Sequence, residues 1–313
     1  MRNHFADELL MLARADDRIV FLSGDIGNRL FDRYKAEFPE RFFNCGVAEQ
    51  NMIGMAAGLA MCGLRPICYT IASFATVRCL EQIRVDVCYH NVPVVIVGVG
   101  AGLGYAELGA THHACEDIAM MRSLPGMSVV CPGDPLEVRW ALRAAMKHDG
   151  PVYLRLGKKG EPLVHTTWPE FRIGRAIPVR EGRDVALLVM GTLLPTAVDA
   201  SKLLATQQVD AAVVSVPTVK PLDFELLERV FAEYPLVATI EEHGLAGGFG
   251  SAVAEWLVDR RPRTSAPQAA LLRIGTADKF MHEAADEHYA RLHFGLDPAS
   301  LAARIMAELR NES

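Results

Sequence analysis

At 313 residues, half of them hydrophobic and 22% charged, the chain has the balance of a globular protein and the length of two domains. Its net charge of −6, with Lys and Arg scattered rather than in runs, argues against nucleic acid or an anionic membrane as a partner. The seven cysteines are odd in number and form no Cys-x-x-Cys pair, so reduced thiols and a cytoplasmic location are expected.

The first residues, up to Arg18, are amphipathic but charged throughout, unlike a signal peptide. Short runs rich in Val, Ile and Tyr then alternate with helical patterns: strands at 18–24, 41–46, 66–70 and 93–100, with a helix from about Ala48. Two further strands, at 127–132 and 151–157, flank a helix over Pro135–Lys147. This alternation predicts parallel β-α-β units and a first domain over 1–157. Residues 158–182, richer in Gly, Pro and polar groups, are expected to form a linker. A second series over 183–313 alternates strands at 184–191, 210–217, 235–242 and 270–275 with helices near 195–207 and 224–234, after Gly250 and at the C-terminal end. The fold class is α/β, with two parallel-sheet domains.

The most informative stretch runs from Asn44 to Ala60 and puts Glu49 in the first turn of a small-residue helix after a strand. On position alone the carboxylate could simply stabilise the helix N-terminus, by about 0.3–1 kcal/mol. Asp25, just past the first strand, could likewise be a cap, and Phe74 a core ring. His112 and His113 follow a strand and a Gly-rich loop, where a parallel sheet places active-site groups, although a histidine there can also be structural. Arg155 and Lys158 could meet an anion or merely be solvated.

Resemblance discriminates among these readings. The segment Gly46-Val47-Ala48-Glu49-Gln50 resembles the G-x-x-E-Q segment of the transketolase family's pyrimidine-binding domain. The similarity continues through Ser73 and Phe74 with Glu81–Arg84, Thr111–Ala119, Arg122–Gly126, Gly150–Arg155 and the Gly-rich stretch Glu241–Gly250, in order along nearly the whole chain. It implies a pyrimidine-binding domain followed by a transketolase C-terminal-like domain, with thiamine diphosphate as cofactor. Glu49 would bond the cofactor's pyrimidine ring nitrogen and so let its amino group deprotonate the thiazolium carbon. Phe74 would stack on the pyrimidine and Asp25 would lie near the cofactor. His112, with His113 as second choice, would transfer protons or bind a substrate hydroxyl, and Arg155 and Lys158 would meet the substrate's anionic end. The stretch at Glu241, Glu242 and His243 is expected to serve interface architecture, with no cofactor site in the second domain.

Two departures from the family pattern matter. The Gly-Asp-Gly segment with downstream paired asparagines, which holds Mg2+ and diphosphate, has only a near miss at Gly24-Asp25-Ile26 and Asn51-Met52. No metal ligands are therefore expected in this chain. A partner resembling the N-terminal half of transketolase should supply them, in a two-plus-two heterotetramer. In the loop over 100–109, Leu108 replaces an Asp that meets a sugar hydroxyl, and a hydroxyl left unpaired there costs about 1–3 kcal/mol. A modified substrate is expected: a deoxy-, sulfo- or branched sugar, or a simple 2-oxo acid.

The leading expectation is thus one subunit of a split transketolase, moving a two-carbon ketol unit from a ketose to an aldehyde. The beta subunit of a 2-oxo acid dehydrogenase shares the plan and the glutamate, and a non-catalytic scaffold subunit is the third alternative.

Overall fold

The β-branched runs become strands buried along almost their full length, as parallel strands covered on both faces must be. In the computed structural model, which describes residues 1–27, 29–167, 170–260 and 269–311, the elements of the first half are α1 (Arg2–Ala15), β1 (Ile19–Ser23), α2 (Asp32–Glu37), β2 (Phe42–Asn44), α3 (Glu49–Met61), β3 (Arg65–Ile71), α4 (Ala72–Thr76), α5 (Leu80–Gln82), β4 (Val95–Val99), α6 (Asp117–Ser123), β5 (Ser128–Val130), α7 (Pro135–Lys147) and β6 (Val152–Leu156). The second half contains β7 (Ile177–Arg180), β8 (Val185–Met190), α8 (Leu194–Thr206), β9 (Ala211–Ser215), β10 (Thr218–Lys220), α9 (Phe224–Glu233), β11 (Leu236–Gly244), α10 (Phe249–Asp259), β12 (Ala270–Thr276), α11 (Glu287–His293) and α12 (Pro298–Asn311).

The first sheet has the order β10-β5-β6-β4-β3-β1-β2, parallel except for β10, which belongs to the second half of the chain and pairs antiparallel with β5. The second has the order β12-β11-β8-β9-β7, parallel except for β7 at its edge. Strand β7 lies inside the stretch expected to be a linker, and β10 crosses from one domain's sequence to the other's sheet. The domains also share an apolar cluster that runs from Ile53 and Met121 to Val214 and Phe231. They are therefore welded together and do not hang on a tether.

The remaining connector is clasped as well; of it, residues 168–169 lie outside the described residues. Asp134 caps α7 through the amides of Leu136 and Glu137 and also accepts from the amides of Val164 and His165. Glu137 accepts from Gly133 N at 2.6 Å and pairs with His165 Nε2 at 2.7 Å. Burial opposes protonation of His165, but the bond to Glu137 and its charge prevail and raise its pKa. Asp134, Glu137 and His165 have the spacing of metal ligands, yet four backbone amides already occupy Asp134, so the group serves as a clasp.

Candidate active site

Two strands leave the first sheet in opposite directions, since β1 is followed by its outer neighbour β2 whereas β3 is followed by β4 on the other side. A parallel sheet opens a crevice at such a switch point, outside the carboxyl ends of the strands. Glu49 sits there. It is the first residue of α3, and its carboxylate is bonded by side chains outside that helix. The buried carboxylate takes a hydrogen bond from Thr70 Oγ1, near the end of β3, at 3.3 Å and pairs with Arg78 Nη1 at 2.7 Å. Gly24, at the end of β1, closes the floor; a Cβ there would stand 2.9 Å from Thr70 Oγ1 and 3.4 Å from Glu49 Cγ. Both oxygens of Glu49 are thus engaged by side chains from outside its own helix.

From Arg78 a chain of contacts leads across the site. Its guanidinium, with a side chain 40% exposed, lies 4.2 Å over the half-buried ring of Phe74. Phe74 meets the ring of His112 at 5.1 Å, and His112 meets Tyr105 at 6.2 Å. Ser73 Oγ ties α4 to the carbonyl of Thr111, and Thr111 Oγ1 contacts His112 Nδ1 at 3.0 Å. Burial first, and then the charge of Arg78, lower the His112 pKa, so a neutral imidazole is favoured at neutral pH. Lys158, past the end of β6, lies 4.9 Å over Tyr105 and is ion-paired with Glu107.

The structure therefore links Glu49, Phe74, His112 and Lys158 through one chain of contacts and adds Arg78, Tyr105 and Glu107. The spacing of Phe74 and Arg78, four residues apart in a run of helical turns, was the available signal for the cation over the ring. His113 turns away into a buried position where its Nε2 has no partner among the described residues. Asp25 is exposed in a turn at positive φ, caps no helix, and accepts from Asn44 Nδ2 at 2.9 Å.

Arg155 corrects an expectation. It lies within β6, is buried, and spends its guanidinium on Asp117 Oδ2 at 2.7 Å, the Ala114 carbonyl at 2.7 Å and the Glu242 carbonyl at 3.0 Å. Burial works against its charge, but Asp117 more than compensates and raises its pKa. With its Nε and Nη2 donors turned into the domain interface and its side chain buried, Arg155 is committed to the junction and not to a substrate anion.

Residues 1–161 match the family described as transketolase, pyrimidine binding domain, and residues 174–301 match transketolase, C-terminal domain. The chain belongs to the transketolase family. The chain is 38% identical over 85% of its length to one of the apulose-4-phosphate transketolase subunits of Actinobacillus succinogenes, covering 84% of that protein. It is 37% identical over 99% of its length to a 6-deoxy-6-sulfo-D-fructose transketolase subunit of Clostridium sp. (strain MSTE9), covering 95% of that protein. Among solved structures, one described as a split gene transketolase, inactive beta4 tetramer, superposes with a TM-score of 0.89 at 35% identity, covering 99% of this chain and 98% of that one. The chain is accordingly the pyrimidine-binding and C-terminal half of a transketolase-type transferase.

The family implies thiamine diphosphate, and the donor set fits one end of it. A buried carboxylate at the crevice can bond a ring nitrogen, and Phe74 offers an aromatic face. The sequence contains no Gly-Asp-Gly segment.

The second domain holds a further buried acid. Glu241, near the end of β11, accepts from Phe249 N at 2.6 Å and Gly250 N at 2.8 Å, where α10 begins. Burial pushes its carboxyl up to about 7, against the downward pull of the Gly250 and Phe249 amides, Arg155 and Arg273. The folded chain then holds more protons than the unfolded chain between about pH 4.5 and 7, so this group's contribution to stability falls as pH rises through that window. Denaturant midpoints measured from about pH 5 to 7.5 should decline in the native chain relative to Glu241→Gln. Parallel curves would mean that Glu241 is ionised throughout.

Proposed function

We propose that this chain is the cofactor-activating subunit of a split transketolase that moves a two-carbon ketol unit from a modified ketose to an aldehyde. Its partner, an N-terminal transketolase-like subunit, holds Mg2+ and the diphosphate, with two copies of each chain in the assembly. The observation that carries this reading is the buried Glu49 carboxylate at the switch point, beside Phe74, with the partly exposed Arg78 as its outward ion-pair partner.

Thiamine diphosphate, when bound, supplies a nucleophilic thiazolium carbon. Glu49 holds a proton at the pyrimidine ring nitrogen, and Phe74 covers the ring and excludes water. His112, with a lowered pKa, binds a substrate hydroxyl or moves a proton there, and Lys158 with Glu107 lies where an anionic end would reach.

The need for a partner is supported by large apolar side chains in solvent. Val47 (74% exposed), Val77, Val85 and Tyr89 (83% exposed) lie just before α3 and on the packed turns that follow α4. Of these, Val85 and Tyr89 line one shared hollow with Cys88 and Pro125, which suits an interaction surface. The solved relative, an inactive tetramer of beta chains, agrees with a beta chain that self-associates and lacks activity on its own. The substrates named for the two relatives, apulose 4-phosphate and 6-deoxy-6-sulfo-D-fructose, agree with the exposed Leu108 in the loop beside His112. Seven free thiols suit a reducing, cytoplasmic compartment, and no described helix is long and apolar enough to cross a membrane.

Calorimetry of thiamine diphosphate and Mg2+ with each chain alone and with the mixture tests the composite site. Binding is expected only in the mixture, and tight Mg2+-dependent binding by this chain alone would refute the split. With the mixture, 6-deoxy-6-sulfo-D-fructose and apulose 4-phosphate should outperform xylulose 5-phosphate as donors. The reverse order would remove the modified-sugar reading.

A further inference from the structure

The loop between β4 and α6 carries Tyr105, Glu107, Leu108 and His112, yet its backbone is gripped from the other domain. Glu242 is buried near the end of β11 and reaches across 139 residues of sequence to accept a hydrogen bond from Leu103 N at 2.8 Å through Oε1. Its Oε2 is held by Arg291 Nε of α11 at 2.5 Å, and Arg291 is braced in turn by Glu287 at 2.7 Å. The approach is possible only because residue 102 is glycine. A Cβ there would stand 2.6 Å from Glu242 Cγ and Oε1, and the φ of +56° suits glycine in any case.

The same strand end holds the far side of the loop. The Glu242 carbonyl and the Ala114 carbonyl share Arg155 Nη2, Gly244 N donates to the Cys115 carbonyl at 2.8 Å, and Ala119 N donates to His243 Nε2 at 3.3 Å. Under the loop, Leu103 and Ala106 pack with Met281 and Ala290 of the second domain. Three consecutive residues of β11 thus fix both ends of the segment that presents His112, and one oxygen of a buried, ion-paired carboxylate is committed to a loop amide.

We propose that Glu242, clamped by Arg291, is a positioning residue through which the C-terminal domain sets the substrate loop and hence affinity for the sugar. The inference rests on the reading above that this loop faces the substrate. Mispositioning of a binding loop by about 1 Å can cost about 10²-fold. Because Glu242 touches neither Glu49 nor Phe74 in the hydrogen bonds and ring contacts described, the cost should fall on KM.

The test compares native, Glu242→Ala and Arg291→Met chains, each assembled with the partner subunit. It measures thiamine diphosphate affinity, kcat and KM with 6-deoxy-6-sulfo-D-fructose, and hydrogen–deuterium exchange over residues 100–113. Expected are faster loop exchange, a KM raised about 10- to 100-fold, kcat within a few-fold and unchanged cofactor affinity. Arg291→Met keeps the Leu103 bond and serves if Glu242→Ala fails to fold; it should give the same pattern in milder form. Unchanged loop exchange in both variants, or cofactor affinity falling together with kcat, overturns the proposal. Faster exchange with unchanged cofactor affinity in a complex that turns over no sugar even with native chains supports the clamp and refutes the functional reading instead.

Discussion

Glu49→Gln in the assembled enzyme is expected to lower turnover about 10²- to 10⁴-fold, the range lost when an acid–base group is removed. Gln fills the same space and can still accept from Thr70, so packing at the β1/β3 crevice should survive. It cannot carry the charge that pairs with Arg78 or hold a proton at the pyrimidine nitrogen. Arg78 is partly exposed, so losing its partner should cost little stability, about 1 kcal/mol or less after solvent screening. Steady-state kinetics alongside a denaturation curve separate the two effects. Native turnover in a normally folded variant would leave Glu49 as a buried ion-pair partner with no catalytic role.

How far the sequence alone leads depends on which residues local pattern governs. The helix expected over Pro135–Lys147 is found with those bounds, because Asp134 caps it, Pro135 sits where its missing N–H is not needed, and one face is apolar. The buried strands were legible for a similar reason, since unbroken Val, Ile and Leu runs have few alternatives in an α/β protein whose sheets are covered on both faces. Strands β7 and β10 were not. They are four and three residues long, each pairs antiparallel at a sheet edge, and the partner of β10 is chosen by how the two domains meet.

The same division runs through the site. Glu49 was singled out by its motif, and the structure adds its location at a switch point. His112 and His113 are adjacent in sequence, and only tertiary contacts decide that one faces Phe74 while the other is buried. Glu242 was expected to be interface architecture, but its reach to Leu103 across 139 residues has no local signature. Arg155 was expected at the substrate because the pattern of its strand does not show that its side chain is turned to the domain junction. It lies inside β6, two residues from Tyr153, and period-2 alternation puts both on one face, where both bond Asp117 Oδ2.

That placement makes Arg155→Met the substitution with the largest expected effect on stability. Removing the guanidinium leaves Asp117 Oδ2 with only the Tyr153 hydroxyl at 2.6 Å, while Oδ1 already has no hydrogen-bond partner among the described residues. The carbonyls of Ala114 and Glu242 lose a shared donor at the domain junction. Breaking one side of a buried ion pair costs about 3–5 kcal/mol, chiefly because the remaining charge is stranded. Adding Asp117→Asn should therefore recover part of the loss, giving a double variant less destabilised than the sum of its parts. Equilibrium unfolding of the native chain, both single variants and the double variant measures this directly. An Arg155→Met chain of native stability whose assembled enzyme shows only a raised KM would restore Arg155 to the substrate and undo its assignment to the junction.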